Sequence, residues 1–150
     1  MMICFVTDKK PISYNSNKKS KFQSELQTAF APYKKLYPQL PLKGELSSNI
    51  VYIHKDAKGL LDVDNLSKPF IDAFTNIIYG DDNQIKHREC SRVSLRDSHN
   101  IEINYTRMNE KAREKLEELI NKGANHILYF EVDDFSPKQV KIGGRHNETE

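Results

Sequence analysis

Apolar and polar residues alternate along this chain with two periods, one typical of helices and one typical of strands. Helical spacing predicts α-helices over residues 18–36, 65–78 and 109–122. Short apolar or alternating runs predict strands over residues 2–7, 49–55, 84–95, 101–106 and 126–132. The strands at 84–95 and 101–106 flank a polar turn, so we expect them to form a hairpin. Because helices and strands are intermixed, the pattern predicts an α+β fold, with a mixed β-sheet and helices packed on it.

Length and composition fit one globular domain with a modest core, since the chain has 150 residues, 37% of them hydrophobic and 29% charged. No apolar run approaches the roughly 20 residues of a membrane-spanning helix. The apolar start at residues 1–6 is too short for a signal peptide. The two cysteines, Cys4 and Cys90, are too few for a disulfide framework. We therefore expect a soluble, cytoplasmic protein.

The formal net charge is only +2, but the charges are unevenly distributed. Residues 1–44 contain eight lysines and two acidic residues, whereas residues 45–106 contain ten acidic and seven basic residues. A basic arm beside an acidic centre suits a protein that attracts a polyanion and processes it at a metal. A solvated, lysine-rich surface is the alternative, and charge alone favours it.

The polar side of the central predicted helix carries the first chemical signal. Asp64, Lys68 and Asp72 follow one another at i, i+4 spacing, and the opposite side is apolar. Taken alone, this trio indicates a solvent-facing salt bridge. Either Asp64 or Ser67 is a candidate N-cap for this helix.

Further carboxylates lie at both ends of that helix and change the interpretation. Asp62 precedes the helix, and Asp81 and Asp82 follow it. Several carboxylates gathered in one place repel one another unless a cation is present. Mg²⁺ takes oxygen ligands and keeps positions for water and phosphate. The sequence therefore predicts a magnesium site beside Lys68, which is a combination suited to phosphate chemistry.

The strand after this helix has a predicted basic face. Period-2 alternation places on one face Gln84, Lys86, Arg88, Cys90, Arg92, Ser94 and Arg96. Such a face can hold a nucleic-acid backbone, or it can protect an edge strand from aggregation. The sequence favours neither alternative over the other.

Other short motifs do not fit the residues that surround them in this sequence. The run Tyr79-Gly80-Asp81-Asp82 matches a short polymerase signature, but a predicted helix precedes it and the chain is too small for a polymerase. The residues after Asp62 and Asp64 do not continue as a calcium loop. No zinc spacing and no phosphate-binding glycine pattern occurs in the sequence.

Together, these residues resemble the RusA family of Holliday junction resolvases. The resemblance rests on Asp62-Val63-Asp64-Asn65, Lys68, Asp72 and Asp81-Asp82-Asn83-Gln84, with weaker support from Pro11-Ile12-Ser13-Tyr14-Asn15. It covers about residues 3–106. The part of the chain from Asn109 onward has no counterpart in the compact members of the family.

The resemblance implies a domain organisation and an activity. Residues 1–106 would form a RusA-like nuclease domain, residues 107–132 a helix-strand extension of that domain, and residues 133–150 a mobile tail. The protein would be a homodimer that resolves four-way DNA junctions by paired phosphodiester hydrolysis. It would require Mg²⁺, with Mn²⁺ as a substitute.

The resemblance also implies residue roles. Asp62, Asp64 and Asp82 would bind the metal, and these acids together with Lys68 would be catalytic. Supporting residues would be Asn15, Asn65, Asp72, Asp81 and Gln84. DNA-binding residues would be Lys18, Lys19, Lys21, Lys86, Arg88 and Arg92. Two alternatives stay open: a nuclease acting on other branched DNA or on RNA, and a branched-DNA-binding module that does not cut.

Overall fold

The structure is a computed structural model that describes residues 2–12, 17–55, 62–96 and 100–144. Asn15 and most of the polar turn at residues 97–100 lie outside these residues. The sequence also predicts a turn at Lys58-Gly59, and this segment lies outside them too.

The described residues form four strands and three α-helices. Their order is β1 (Ile3–Thr7), α1 (Lys19–Lys34), β2 (Leu46–His54), α2 (Val63–Ala73), β3 (Ile85–Ser94), α3 (Glu110–Asn121) and β4 (His126–Asp134). Short 3-10 helices cover Asp82–Gln84 before β3 and Pro137–Gln139 after β4. The predicted α+β class is confirmed. Within the described ranges, no helix has the length and apolar character needed to cross a membrane.

The strands form one mixed sheet in the order β1-β4-β2-β3. β4 is antiparallel to both of its neighbours, whereas β2 and β3 are parallel. A parallel pair needs a crossover connection, and α2 supplies it between β2 and β3. β4 comes from residues beyond 106, yet it lies between β1 and β2. The extension therefore supplies a central strand of the sheet.

One face of the sheet packs against α1 and α2 through a cluster of aromatic rings. The Phe5 ring of β1 lies 5.3 Å from Phe30 of α1, 5.4 Å from Phe74 just after α2, and 6.0 Å from Phe130 of β4, measured between centroids. All these side chains are buried. Burying a phenylalanine contributes about 1.5–3 kcal/mol. This cluster fixes the two helices above the strands that carry the candidate site.

The opposite face of the sheet shows that the predicted hairpin is wrong. Residues 101–105 form no strand, and β3 pairs with β2 in a parallel ladder. Ile101, Ile103 and Tyr105 are half-buried against the core, while Glu102 and Asn104 are exposed. Alternation records only that one side of a segment is buried. Here the covering partner is the face of the sheet rather than a neighbouring strand.

Helix α2 ends at Ala73, five residues earlier than its apolar pattern predicts. Asn76 has a positive φ of 69°, and its N–H donates to the Tyr79 carbonyl at 2.6 Å, so the chain turns there. Asn tolerates this left-handed conformation better than most residues. Ile78 and Tyr79 are nevertheless buried. Their burial continues the apolar pattern and explains the overestimated length.

Helix α3 is attached to the sheet through Asn109. The Asn109 side chain caps the helix by accepting a hydrogen bond from the Ala112 N–H at 2.7 Å. Its Nδ2 also donates to the Cys4 carbonyl of β1 at 2.8 Å and to the Tyr37 hydroxyl at 2.6 Å. One amide side chain therefore ties the extension to two earlier parts of the chain.

After β4 the chain stays in contact with the sheet for several residues. Gln139 Nε2 donates to the Ser47 hydroxyl of β2 at 3.1 Å. Ser136 and Gln139 form a reciprocal capping box around the short 3-10 helix. Residues 145–150 lie outside the described ranges. The division into nuclease domain, extension and tail stays a prediction.

Candidate active site

The N-terminus of α2 is fixed by Asp62 rather than by Asp64 or Ser67. Asp62 has an extended backbone, and its carboxylate accepts a hydrogen bond from the Asn65 N–H at 2.8 Å. Asn65 Nδ2 also lies 3.4 Å from the second carboxylate oxygen. Such a cap stabilises a helix by about 1 kcal/mol. Asp62 is thus a structural residue of the helix start as well as a predicted metal ligand.

Lys68 joins two carboxylates from different parts of the chain. Its ammonium lies 3.3 Å from Asp72, one turn along α2, and 3.7 Å from Asp82, in the 3-10 helix before β3. The first contact is the i, i+4 pair expected from the sequence. The second contact joins the polar side of α2 to the acidic cluster that follows this helix.

A cleft of about 330 Å³ separates the polar side of α2 from β3. It is lined by Val63, Asp64, Ser67, Lys68, Arg88 and Cys90. The sequence indicated the contributions of Asp64, Lys68 and Arg88. The sequence indicates Ser67 only as a candidate cap and Cys90 only as a member of the basic strand face. Neither residue carried a sequence signal for facing an acidic helix.

The strand pairing explains why Arg88 and Cys90 of β3 face this cleft. Arg88 lies opposite Ser48 and Cys90 lies opposite Ile50, and Ile50 lies opposite Phe130 of the aromatic cluster. Arg88, Cys90 and Arg92 therefore share the face that α1 and α2 cover. The alternation predicted from Lys86 is interrupted, because Ile85 pairs with Leu46 but His87 pairs with Ser47. Lys86 occupies the extra position and is exposed.

Gln84 holds the second acidic cluster in position. Its Oε1 accepts hydrogen bonds from the N–H groups of Gly80 and Asp81, at 2.8 and 3.0 Å. Its Nε2 donates to the carbonyls of Leu42 and Gly44, both at 3.0 Å. One side chain thus fastens the loop that carries Asp82 to the loop that precedes β2. The acceptors are backbone carbonyls. Because every residue has one, the sequence does not indicate which carbonyls Gln84 contacts.

The electrostatics of the site follow from these contacts. The Asn83 N–H donates to the Asp81 carboxylate at 2.9 Å, and this bond lowers the pKa of the Asp81 carboxyl. Burial, with a smaller contribution from the nearby Asp64 charge, raises the pKa of the Cys90 thiol to about 11. Cys90 is therefore a neutral thiol at physiological pH. Burial also raises the pKa of Tyr79, whose hydroxyl lies within electrostatic reach of Arg88, Asp72 and Asp82.

Helices α1 and α2 run side by side in the same direction. Gln23 of α1 donates to the Pro69 carbonyl of α2 at 3.1 Å, and Gln27, one turn later, donates to the Ala73 carbonyl at 2.8 Å. Extending this offset by one turn toward the N-termini places Lys19 beside Asn65. The lysine-rich start of α1, with Lys18, Lys19 and Lys21, therefore lies at the same end as the acidic start of α2.

The side chains predicted to bind the metal do not form a complete coordination site in the structure. Asp64 lines the cleft, Asp82 contacts Lys68, and Asp62 caps α2. Among the residues that the structure describes, no three acidic, histidine or cysteine side chains are grouped closely enough to hold one metal ion. Of the predicted supporting residues, Asn65, Asp72, Asp81 and Gln84 lie around the site, and Asn15 is outside the described ranges.

Comparison with known proteins identifies one family. The family model described as Endodeoxyribonuclease RusA matches residues 5–106, which is more than half of the chain. The matched range contains the cleft, both acidic clusters, Gln84 and helix α1. No curated protein sequence matches the chain.

Proposed function

Because the chain belongs to the RusA family of endodeoxyribonucleases, we propose that it resolves four-way DNA junctions by paired phosphodiester hydrolysis, as a Mg²⁺-dependent homodimer. Mn²⁺ is the expected substitute ion. The observation that carries this proposal is the contact of Lys68 with Asp82 at the mouth of the cleft that contains Asp64. Carboxylates and cations from separate elements meet there, on a surface that a DNA strand can reach.

Asp62, Asp64 and Asp82 are the residues that would hold Mg²⁺. Their oxygen donors fit this ion, which takes few protein ligands and keeps water and phosphate oxygens in its remaining positions. An incomplete protein cage is therefore compatible with Mg²⁺. When bound, the ion activates water and offsets negative charge on the phosphoryl oxygens.

Lys68 has a separate role in this proposal. Asp72 and Asp82 hold its ammonium beside the cleft, so the charge is already in position before the substrate arrives. A preorganised cation of this kind stabilises charge on the phosphate or on the leaving oxygen. Asn65, Asp72, Asp81 and Gln84 support the site by fixing the elements that carry the acids.

Basic residues around the cleft would hold the DNA backbones. Lys18, Lys19 and Lys21 lie at the start of α1, which runs parallel to α2 and begins at the same end as α2 does. Arg88 and Arg92 share the sheet face that forms the other wall, and Lys86 is exposed at the start of β3. Contacts to phosphates set position rather than sequence preference. A two-fold dimer would present two such sites to a junction that has near two-fold symmetry.

The decisive experiment is cleavage of a labelled four-way junction beside duplex and single-stranded DNA of the same sequence. Each substrate is incubated with Mg²⁺, with Mn²⁺ and with EDTA. We expect paired nicks in the junction only, and only when a metal is present. Asp64→Asn should abolish cutting while junction binding persists. Glu114→Gln, an acid-to-amide exchange at an exposed position of α3, is the matched control and should cut normally.

The other outcomes identify the alternatives. Metal-dependent cutting of flaps, other branched DNA or RNA, with the junction uncut, would make the protein a nuclease of different substrate range. Tight junction binding without cutting in either metal would make it a branched-DNA-binding module. A monomeric mass in the junction complex would contradict the homodimer.

A further inference from the structure

Arg88 is the cleft cation that remains available for a ligand. It projects from β3 on the side facing α2, and its side chain is exposed. Among the described residues, no hydrogen bond or ion pair occupies its guanidinium. Lys68, on the opposite wall, is by contrast already engaged by Asp72 and Asp82. The two cations of the cleft are therefore not equivalent.

Arg88 lines the cleft opposite the polar side of α2. It shares the cleft with Asp64, Ser67 and Lys68 of α2. The Tyr79 hydroxyl, behind the site, is within electrostatic reach of Arg88 as well as of Asp72 and Asp82. Arg88 is therefore part of the same cleft as a predicted metal ligand and the proposed catalytic lysine.

The surroundings of Arg88 also permit an anion to approach. Its neighbour on the same strand face is Cys90, a neutral thiol that adds no negative charge. The guanidinium is planar, stays protonated and presents paired N–H donors that match two oxygens of one phosphate. An exposed, unengaged guanidinium that shares a cleft with Asp64 and Lys68 suits a phosphate whose other oxygens contact the opposite wall.

We propose that Arg88 contacts the scissile phosphate itself, donating paired hydrogen bonds to its non-bridging oxygens across the cleft from Lys68. This inference rests on the proposed nuclease function and deepens it. Arg88 would then be a catalytic residue that binds the reacting group, whereas Arg92, on the same strand face but outside the cleft, would be a general backbone contact. Arg88 would stabilise the transition state of cleavage, whereas Arg92 would contribute to DNA binding.

The test separates cleavage rate from binding. Wild type, Arg88→Gln and Arg88→Lys are compared by single-turnover cleavage of the four-way junction at saturating protein, and by junction affinity in EDTA. Removing one such donor group costs about 100-fold in rate. We expect that loss in Arg88→Gln with a Kd within a few-fold of wild type. Arg88→Lys should recover only part of the rate, because an ammonium lacks the paired donors.

Two comparison variants define the alternatives. Arg92→Gln should raise the Kd, as expected of a backbone contact. Arg113→Gln on α3, far from the cleft, should change neither rate nor affinity. Arg88→Gln with a raised Kd and an unchanged rate at saturation would overturn the inference and leave the nuclease function intact. A wild-type protein that cuts no nucleic acid would overturn both.

A second measurement does not depend on rates. A methylphosphonate at the mapped cleavage position removes one non-bridging oxygen charge. It should weaken binding by the wild type more than by Arg88→Gln, because the variant has already lost the partner of that oxygen. Equal weakening of both proteins would place Arg88 away from the reacting phosphate.

Discussion

The Lys68 ammonium lies 3.7 Å from the Asp82 carboxylate, and this contact joins α2 to a loop fourteen positions further along the chain. The two side chains are 43% and 35% exposed. Exposed ion pairs contribute only about 0–1 kcal/mol to stability, because solvent screens them. The importance of the pair is therefore geometric: it holds a cation and a carboxylate at the mouth of one cleft.

Lys68→Ala should separate activity from stability. We expect cleavage to fall by about 100-fold or more, since a preorganised charge is lost, while the free energy of unfolding changes by less than about 1 kcal/mol. Urea denaturation and single-turnover cleavage measure the two effects. Lys115→Ala is the matched control, because Lys115 makes an exposed pair with Glu118 on α3. Equal cleavage rates of Lys68→Ala and Lys115→Ala would show that Lys68 has no role in the reaction.

Gln84→Glu should loosen the loop that carries Asp82. The exchange keeps an oxygen acceptor but removes both donors to the carbonyls of Leu42 and Gly44. Unsatisfied partners of this kind cost about 1–3 kcal/mol. We expect a comparable loss of unfolding free energy, and a loss of cleavage that persists well below the melting temperature.

Gln139→Glu is the corresponding control for the loop variant. Gln139 makes the same type of capping box and donates to Ser47, whose side chain lies on the sheet face opposite to that of Ser48 and Arg88. A similar loss of stability with normal cleavage is expected there. If Gln84→Glu also cuts normally, the hydrogen bonds of the Gln84 side chain have no role in positioning Asp82.

Asn109 variants should reveal how firmly the extension is built into the fold. Asn109→Ala removes the α3 cap and the donors to Cys4 and Tyr37, and we expect about 2–3 kcal/mol of destabilisation. Asn109→Asp retains the cap oxygen but loses the donors, so its stability should lie between those of wild type and Asn109→Ala. Urea unfolding measures both. Unfolding of the α3 variants in a separate, earlier transition would mean that the extension is an independent unit.

Glu131 predicts a pH dependence of stability. Burial raises the pKa of its carboxyl, Asp133 and Glu89 raise it further, and Tyr129 and Arg107 lower it. The folded protein then keeps a proton that the unfolded chain has released, so this group's stabilising contribution is full below the unfolded pKa and is lost as pH rises through the folded pKa. Glu131→Gln cannot ionise, and its amide oxygen can still accept the Tyr129 hydrogen bond.

Melting curves across the acidic-to-neutral range test this expectation. Glu131→Gln should gain stability relative to wild type as the pH rises from about 4 to about 7. Glu114→Gln, at an exposed position, should show no such trend. A difference between Glu131→Gln and wild type that shrinks with rising pH would contradict the assignment.

The sequence predicted those features that depend on local periodicity. The polar side of α2, with Asp64, Lys68 and Asp72, follows from the helical repeat, and the contact of Lys68 with Asp72 is confirmed. The α+β class follows from the mixture of helical and strand patterns. The arrangement of Arg88 and Arg92 on one face of β3 follows from strand alternation.

Features that depend on tertiary partners were not accessible in this way. The segment containing Ile101 and Ile103 alternates like a strand but packs against the face of the sheet. Gln84 donates to two backbone carbonyls, and since every residue has a carbonyl, the sequence does not indicate which two. The contact between Lys68 and Asp82 requires the turn at Asn76, and an apolar pattern continuing through Ile78 concealed that turn.

The central position of β4 has a consequence for the timing of synthesis. A ribosome releases β1 and β2 long before residues 126–134, yet those two strands meet only through β4. A nascent chain therefore contains α2 and both acidic clusters while its sheet is still divided. The sheet cannot be completed until residues 126–134 have emerged, so shorter nascent chains carry the proposed catalytic side chains without the strand that joins β1 to β2.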